Sequence, residues 1–451
     1  MLDSVIFKAN DIRGVFGCEW DARGAWALGV AYARMIDEPQ VVVSRDMRVS
    51  GPVVREAFVR GVTSQGVSVL DAGLASTDEL WFASGAWDVP GVQITSSHNP
   101  SSYNGMKFCR RGAKPVTGEF LAEVRRRAQD VDAGRVEVAE APVPGTVEVR
   151  DALGEYVKYL LSLVDVSAMR RLTVVVDAGN GMAGLTVPAV LSHLDVDLVG
   201  LFMELDGSFP HHQPNPLEPK NLVDARNAVR EYGADVGLVF DGDADRVFVI
   251  DEKGGVVSPS AVAGMIAVDE LAREPGGTVV VNTITSDAVS EIVTEHGGKV
   301  VVSKVGHTYM KALMASEDAV FGGEHSAHYY FRDFFGADTG MLAGLHVLST
   351  LGHTDTPLSE LVASYTRYAA SGEINSTVAD QRATMERVAR AVGADARISW
   401  EDGVKISGDG WWVSLRPSNT EPLLRLNVEA ADTATMEHLR DTVLTLIKEE
   451  K

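Results

Sequence analysis

Short β-branched runs recur along the chain at spacings that leave room for a helix between them. Val41–Val43, Val67–Leu70, Val92–Thr95, Leu172–Val176, Val236–Phe240, Val247–Ile250, Val279–Val281 and Val300–Val302 read as buried strands. Interleaved with helical stretches, they predict α/β units. The last segment breaks this rhythm. Trp411–Leu415 and Leu423–Val428 read as strands, and an amphipathic helix follows in which Met436, Leu439, Val443 and Leu446 share one face and Asp432 is the N-cap. That pattern predicts a small α+β domain.

A chain of 451 residues suits roughly three or four such cores. The mixed, proline-containing stretch 130–149 reads as a linker, the turn Asp251–Gly255 as a second break, and Ser371–Ser376 as the approach to the final domain. The expected units are therefore 1–150, 151–253, 254–370 and 371–451.

Composition narrows the function classes. Hydrophobic residues make up 45% of the chain and charged residues 23%, as in ordinary globular proteins. The net charge of −22 argues against nucleic acid as a partner, because a nucleic-acid surface must neutralise phosphates. A small phosphorylated ligand is compatible with it, since that needs only a local cluster of Arg, Lys and backbone N–H groups. Two cysteines, Cys18 and Cys109, are too few for a disulfide framework or a thiolate zinc site. The first residues, MLDSVIFKANDIRG, lack the apolar core of a signal peptide, and no run approaches the ~18 apolar residues of a membrane span. The expected setting is the reduced cytoplasm, with no membrane partner.

Four motifs carry chemistry. Thr95-Ser96-Ser97-His98-Asn99-Pro100 follows an expected strand, and Asn-Pro forces a turn that holds a hydroxyl rigid and exposed. Either serine suits this position. Lys107 and His98 are near enough in sequence to supply the base or cation that a nucleophilic hydroxyl requires. Asp241-Gly242-Asp243-Ala244-Asp245-Arg246 places three carboxylates in one short loop, where they repel one another unless a cation or protons offset the charge. Hard oxygen ligands favour Mg²⁺ or Ca²⁺. Glu252 falls at the twelfth position of an EF-hand pattern, but Arg246 at the position that needs glycine and the strands expected on both sides argue against that reading. Gly322-Gly323-Glu324-His325-Ser326-Ala327-His328 offers Glu324 and Ser326 to sugar hydroxyls. Arg416-Pro417-Ser418-Asn419-Thr420-Glu421-Pro422, with Arg425 beyond it, suits a phosphate held by bidentate arginine and small polar groups. Arg13, Arg45 and Arg48 lie near strand ends and read either as added positive charge or as surface residues. His211-His212 has no third metal ligand at a recognisable spacing and reads as loop structure.

Taken in order, these motifs resemble the α-D-phosphohexomutase superfamily, most closely its bacterial phosphomannomutase/phosphoglucomutase group. The resemblance begins at Phe7–Gly14, passes through Ser44–Arg48, the Ser97 loop, Val176–Gly181, the Asp241 loop and Lys304–His307, and closes with the Glu324 and Arg416 loops. It implies three related mixed-sheet α/β domains and a C-terminal TATA-binding-protein-like α+β domain around one central cleft. It also implies Ser97 as the phosphorylated serine, with Asp241, Asp243 and Asp245 holding Mg²⁺ together with a phosphoserine oxygen. His98 and Lys107 would move protons, and Arg13 and Arg246 would support them as cations. Glu324 and Ser326 would hold the sugar, His307 would orient the sugar or its phosphate, and Arg416, Ser418, Asn419, Thr420 and Arg425 would hold the non-reacting phosphate. The implied reaction interconverts hexose 1- and 6-phosphates, mannose and glucose included, through a hexose 1,6-bisphosphate that also serves as activator. Two departures stand out: Asn10 replaces a common tyrosine, and the stretch 279–286 lacks a lysine that some members place there. Competing readings are phosphoglucosamine mutase, a metal-dependent phosphatase with a serine nucleophile, and a non-catalytic sugar-phosphate-binding protein.

Overall fold

In the computed structural model, which describes residues 2–417 and 423–448, four sheets follow one another along the chain. In the first, the strands lie in the order Ile12–Val15, Tyr103–Arg110, Gly91–Ile94, Gln40–Arg45, Ser68–Leu74 and Val147–Val149. Gln40–Arg45 runs parallel to both its neighbours, while Gly91–Ile94 and Tyr103–Arg110 are antiparallel. The second sheet repeats the plan. Val236–Phe240, Leu172–Asp177 and Val196–Leu201 are parallel, and the hairpin partner Val247–Asp251 is antiparallel. The third does so again, with Lys299–Ser303, Thr278–Asn282 and Phe321–Gly323 parallel, then Tyr329–Phe331 and Ala337–Asp338 antiparallel. In all three units a parallel strand therefore leads into an antiparallel hairpin, and the hairpin turns carry the polar motifs.

The fourth sheet is antiparallel throughout, as a sheet with a solvated face permits. The helices Gln381–Val392 and Thr433–Lys448 pack on its other face. Asp432 accepts from the Thr435 amide at 2.9 Å, capping the last helix, and Met436 and Val443 are buried. One apolar core runs through the second and third units and into the first, whereas the fourth has a core of its own. Polar contacts join it to the third unit. Asp402 Oδ2 accepts from Thr283 Oγ1 at 2.8 Å and from the Val305 amide at 2.9 Å, and Lys405 Nζ donates to the Thr283 carbonyl at 2.9 Å. Contacts of this kind permit relative motion of domains.

Two segments depart from expectation. The supposed linker 130–149 ends in the strand Val147–Val149, which adds to the edge of the first sheet. Val147 is 48% and Val149 80% exposed, so no buried face marked the strand in the sequence. Ala369–Ala370, expected in the third unit, pairs with Glu429 and Ala430 of the fourth sheet, and Ile374–Thr377 pairs beside it. The crossing into the last domain therefore comes earlier than 371. Tyr103–Arg110 escaped notice because Asn104 and Lys107 occupy buried positions where the strand pattern calls for apolar residues.

Candidate active site

The strand Gly91–Ile94 runs out into the loop that carries Ser97. Ser97 has φ 49°, in the left-handed region that is costly for a residue with a Cβ. Arg48 holds it there. Its side chain is 0% exposed, and its guanidinium donates to the carbonyls of Ser97 (2.8 Å), Asn99 (2.7 Å), Pro100 (2.7 Å) and Tyr103 (2.9 Å). Asp46 pairs with Arg48 at 3.3 Å and Phe209 lies under it at 5.2 Å. Arg48 is therefore neither a surface residue nor spare positive charge; it is the internal brace of the loop. From the second unit, Gln213 Nε2 donates to the His98 carbonyl at 2.8 Å. The His-His-Gln-Pro segment therefore supports the loop, with His212 turned away onto Asp177 at 3.0 Å.

The acidic loop joins Val236–Phe240 to Val247–Asp251 and meets Ser97 head on. Ser97 Oγ donates to Asp241 Oδ2 at 2.7 Å, whereas Ser96 Oγ turns to Asn99 at 3.3 Å. Arg246 donates to Asp241 Oδ2 through Nε (3.0 Å) and Nη2 (2.8 Å), and its Nη2 also gives His98 Nδ1 a hydrogen bond. That contact occupies the His98 lone pair, so the Ser97 proton goes to Asp241 rather than to the adjacent imidazole. Lys107 Nζ donates to Asp243 Oδ2 at 2.7 Å and also to Asp245 Oδ2. Glu252, the residue that raised the calcium-loop question, instead accepts from Ser359.

Electrostatics follow from this packing. Burial raises Asp241, with Arg246 opposing. Burial also raises Asp245, reinforced by repulsion from Asp243, so its carboxyl lies well above the ordinary range. Burial acts on Asp243 in the same sense, but Lys107, Thr77 and Arg13 overcome it and hold that carboxyl far below the usual range. Burial works against the charge on Lys107 as well, but Asp243 and Asp245 override it and keep the lysine an ammonium. Burial, then Arg246 and Arg13, keep His98 neutral.

The three carboxylates bring oxygens within 4.8 Å of one another, and Asp243 Oδ1 and Asp245 Oδ1 are buried without a hydrogen-bond partner. Orphaned carboxylate oxygens at that spacing fit a hard divalent cation.

Across the cleft, Glu324 accepts from the Gly306 amide (3.1 Å), Asn282 (3.3 Å), Tyr330 (3.1 Å) and Ser326 (3.4 Å). Burial raises its pKa. His307 opens the helix His307–Ser316 and is pushed down to about 4 by burial and then by Lys311. His328 lies in the same loop as Glu324, 4.0 Å from Asp245, and burial with Arg246 keeps it neutral. Arg416 and Arg425 face each other across one antiparallel pair, 3.7 and 3.5 Å from Glu373. Ser418, Asn419 and Thr420 lie outside the described residues. A cavity of about 810 Å³ runs from Arg13 and His98 to His307 and Arg425, and a second of about 520 Å³ continues from Arg425 to Arg416. Asn10 borders both and accepts from Thr308, linking the first and third units. Arg13 and His98 of the first unit, His307 of the third and Arg425 of the fourth thus line one cavity, and the acidic trio lies behind His98 through Ser97 and Arg246.

Sequence reasoning gave no role to Asp46, Thr77, Thr95 and Gln213, which support the site, or to Asn282 and Tyr330 behind Glu324. Asp46 and Thr95 lay within quoted motifs, whereas Thr77 and Gln213 carry no pattern of their own. His328 was visible in its motif but had no assigned role.

Residues 4–135, 154–255, 259–368 and 373–446 match, in order, alpha/beta/alpha domains I, II and III and the C-terminal domain of phosphoglucomutase/phosphomannomutase. The chain belongs to the phosphoglucomutase/phosphomannomutase family. It is accordingly a mutase that transfers phosphoryl groups. A phosphomannomutase of Escherichia coli K12 is 38% identical over 453 residues, covering 98% of this chain and 99% of the relative. The phosphohexose mutases of Xanthomonas campestris (ATCC 33913) are 39% identical over 449 residues, covering 98% and 99%. Among solved structures, a phosphoglucomutase/phosphomannomutase family protein of Burkholderia thailandensis superposes with TM-score 0.89 at 31% identity, covering 100% of this chain and 98% of that one. An N-acetylphosphoglucosamine mutase of Aspergillus fumigatus, in complex with glucose 1,6-bisphosphate, shares the fold at TM-score 0.62 and 13% identity, covering 98% and 95%. Among the described residues no helix is long and apolar enough to cross a membrane.

Proposed function

We propose that this phosphohexomutase interconverts the 1- and 6-phosphates of mannose and of glucose through a phosphoserine at Ser97. One observation carries the reading: Ser97 Oγ lies 2.7 Å from Asp241 of the carboxylate trio, and His98 beside it lines a cavity that reaches Arg425, which faces Arg416. A phosphatase needs only the first pole, and a binding protein needs no nucleophile beside the trio.

In the proposed reaction a sugar hydroxyl oxygen attacks the phosphorus of phosphoserine, the P–Oγ bond breaks, and a hexose 1,6-bisphosphate forms. Lys107, held as an ammonium, gives a proton to the leaving Ser97 Oγ and takes back the one that the sugar hydroxyl releases, while His98, its lone pair held by Arg246, orients the serine. After the intermediate turns over, its other phosphate returns to Ser97. Asp241, Asp243 and Asp245 would hold Mg²⁺, which supplies charge stabilisation for the transferring phosphoryl group. Arg13, Arg246 and Lys107 add positive charge from the protein. Arg416 and Arg425, with Ser418, Asn419 and Thr420, hold the resting phosphate, while His307, Glu324 and Ser326 fix the sugar. The separate core of the last domain suits closure over a bisphosphate that must not escape.

The test assays mannose 1-phosphate, glucose 1-phosphate and glucosamine 1-phosphate with Mg²⁺ and added hexose bisphosphate, and measures free phosphate in the same tubes. Isomerisation of the first two, abolished in Ser97→Ala, is the expected result. Phosphate release without isomerisation would mark a phosphatase, and preference for the amino sugar would move the enzyme to the glucosamine branch.

A further inference from the structure

The two oxygens of Asp243 have different surroundings. Oδ2 lies within hydrogen-bond reach of Thr77 Oγ1 (2.6 Å), Lys107 Nζ (2.7 Å) and Thr95 Oγ1 (3.2 Å), whereas Oδ1 is buried and bare. These three donors are not equivalent. A hydroxyl has one proton to give. The Thr95 proton has a nearer acceptor in Asp46 Oδ2 at 2.7 Å, and its oxygen already accepts from the Ser97 amide at 2.9 Å. The Lys107 ammonium is shared with Asp245. Among the described residues the Thr77 hydroxyl has Asp243 Oδ2 as its one acceptor, and the Thr77 amide donates to the Asp243 carbonyl at 2.9 Å. One residue therefore grips both the side chain and the backbone of Asp243.

Thr77 is itself fully buried. It opens the helix Thr77–Trp87, and the next residue, the buried Asp78, accepts from Tyr156 in the second unit at 2.7 Å and from Thr339 in the third at 2.6 Å. The packing of three domains thus sets where the Thr77 hydroxyl stands.

We propose that Thr77 is a positioning residue that selects which oxygen of Asp243 faces the cation, by keeping Oδ2 occupied throughout the reaction. The proposal rests on the reading of the acidic trio as a cation site. Groups one step behind metal ligands typically contribute about 10–100-fold in affinity.

The test is Mg²⁺ calorimetry and Mn²⁺ electron paramagnetic resonance on the full chain, comparing wild type with Thr77→Val, Thr77→Ser and Asp243→Asn. Thr77→Val, isosteric but without the hydroxyl, should weaken binding about 10–100-fold. Thr77→Ser should stay close to wild type, and the Mg²⁺ dependence of turnover should shift by the same factors. If Thr77→Val does not fold, Thr77→Ala carries the same expectation. Wild-type affinity in the variant lacking the hydroxyl would overturn the proposal, as would equal losses in the serine and valine variants, which would trace the effect to packing. Unchanged affinity in Asp243→Asn would instead sink the cation site itself, with Thr77 falling as a consequence.

Discussion

Gly242 approaches the carbonyl of Ser97 so closely that a Cβ at Gly242 would lie 2.5 Å from that oxygen. The first and second domains meet here backbone to backbone, and Ser97 Oγ reaches Asp241 only because nothing stands between. Gly242→Ala must push the two loops apart. Overpacking of this kind costs about 1–3 kcal/mol. Turnover should fall more than stability does, since the displaced groups are the ones proposed to react. Urea denaturation alongside kcat measurement checks this; an unaltered kcat would show that the loop contact is not needed.

Arg48 answers four loop carbonyls and one carboxylate with no exposure to water. Arg48→Met leaves Asp46 as an unpaired buried charge and strands the carbonyls. The expected loss is roughly 3–5 kcal/mol, typical of breaking a buried pair from one side. Chemical denaturation measures it, and a loss below ~1 kcal/mol would mean that the loop holds its left-handed turn unaided.

Glu79 is buried with neither carboxylate oxygen bonded. Burial, then Asp78, push its pKa from 4.5 to about 8. The folded protein keeps this proton where the unfolded chain has lost it. Stability should therefore decline as pH rises from about 4.5 to about 8, at up to ~1.4 kcal/mol per pH unit from this one group. Glu79→Gln, which cannot ionise, should be flatter over that window and more stable than wild type at pH 8. Parallel stability–pH curves for the two proteins would contradict it.

Arg416→Ala should act on binding. Losing one charge-assisted hydrogen bond to the resting phosphate costs about 1.5–3 kcal/mol. KM for the sugar phosphate should rise accordingly, while Mg²⁺ affinity should not move, because Arg416 lies with Arg425 and Glu373 rather than with the acidic trio. Steady-state kinetics and calorimetry together decide, and an effect confined to the metal site would reassign the residue.

The chemistry-bearing loops were legible because each is a dense local cluster: three aspartates in five positions, or two arginines around a proline-bounded turn. The buried strands were legible because parallel strands covered on both faces read as continuous β-branched runs, as in Val236–Phe240. Edge strands such as Val147–Val149 and Val196–Leu201 were not, because exposure removes the pattern.

Sequence alone determined which side chains are present and in what local order, since hydrophobic periodicity and short motifs act over a few residues. It could not decide between Ser96 and Ser97, the acceptor for the serine proton, or the brace formed by Arg48, Thr77 and Gln213. Those depend on contacts between residues far apart in the chain: Ser97 with Asp241, Thr77 with Asp243, Gln213 with His98. Only the packing of separate domains brings such groups within hydrogen-bond distance, and a single polar residue leaves no periodic trace of the partner it will find.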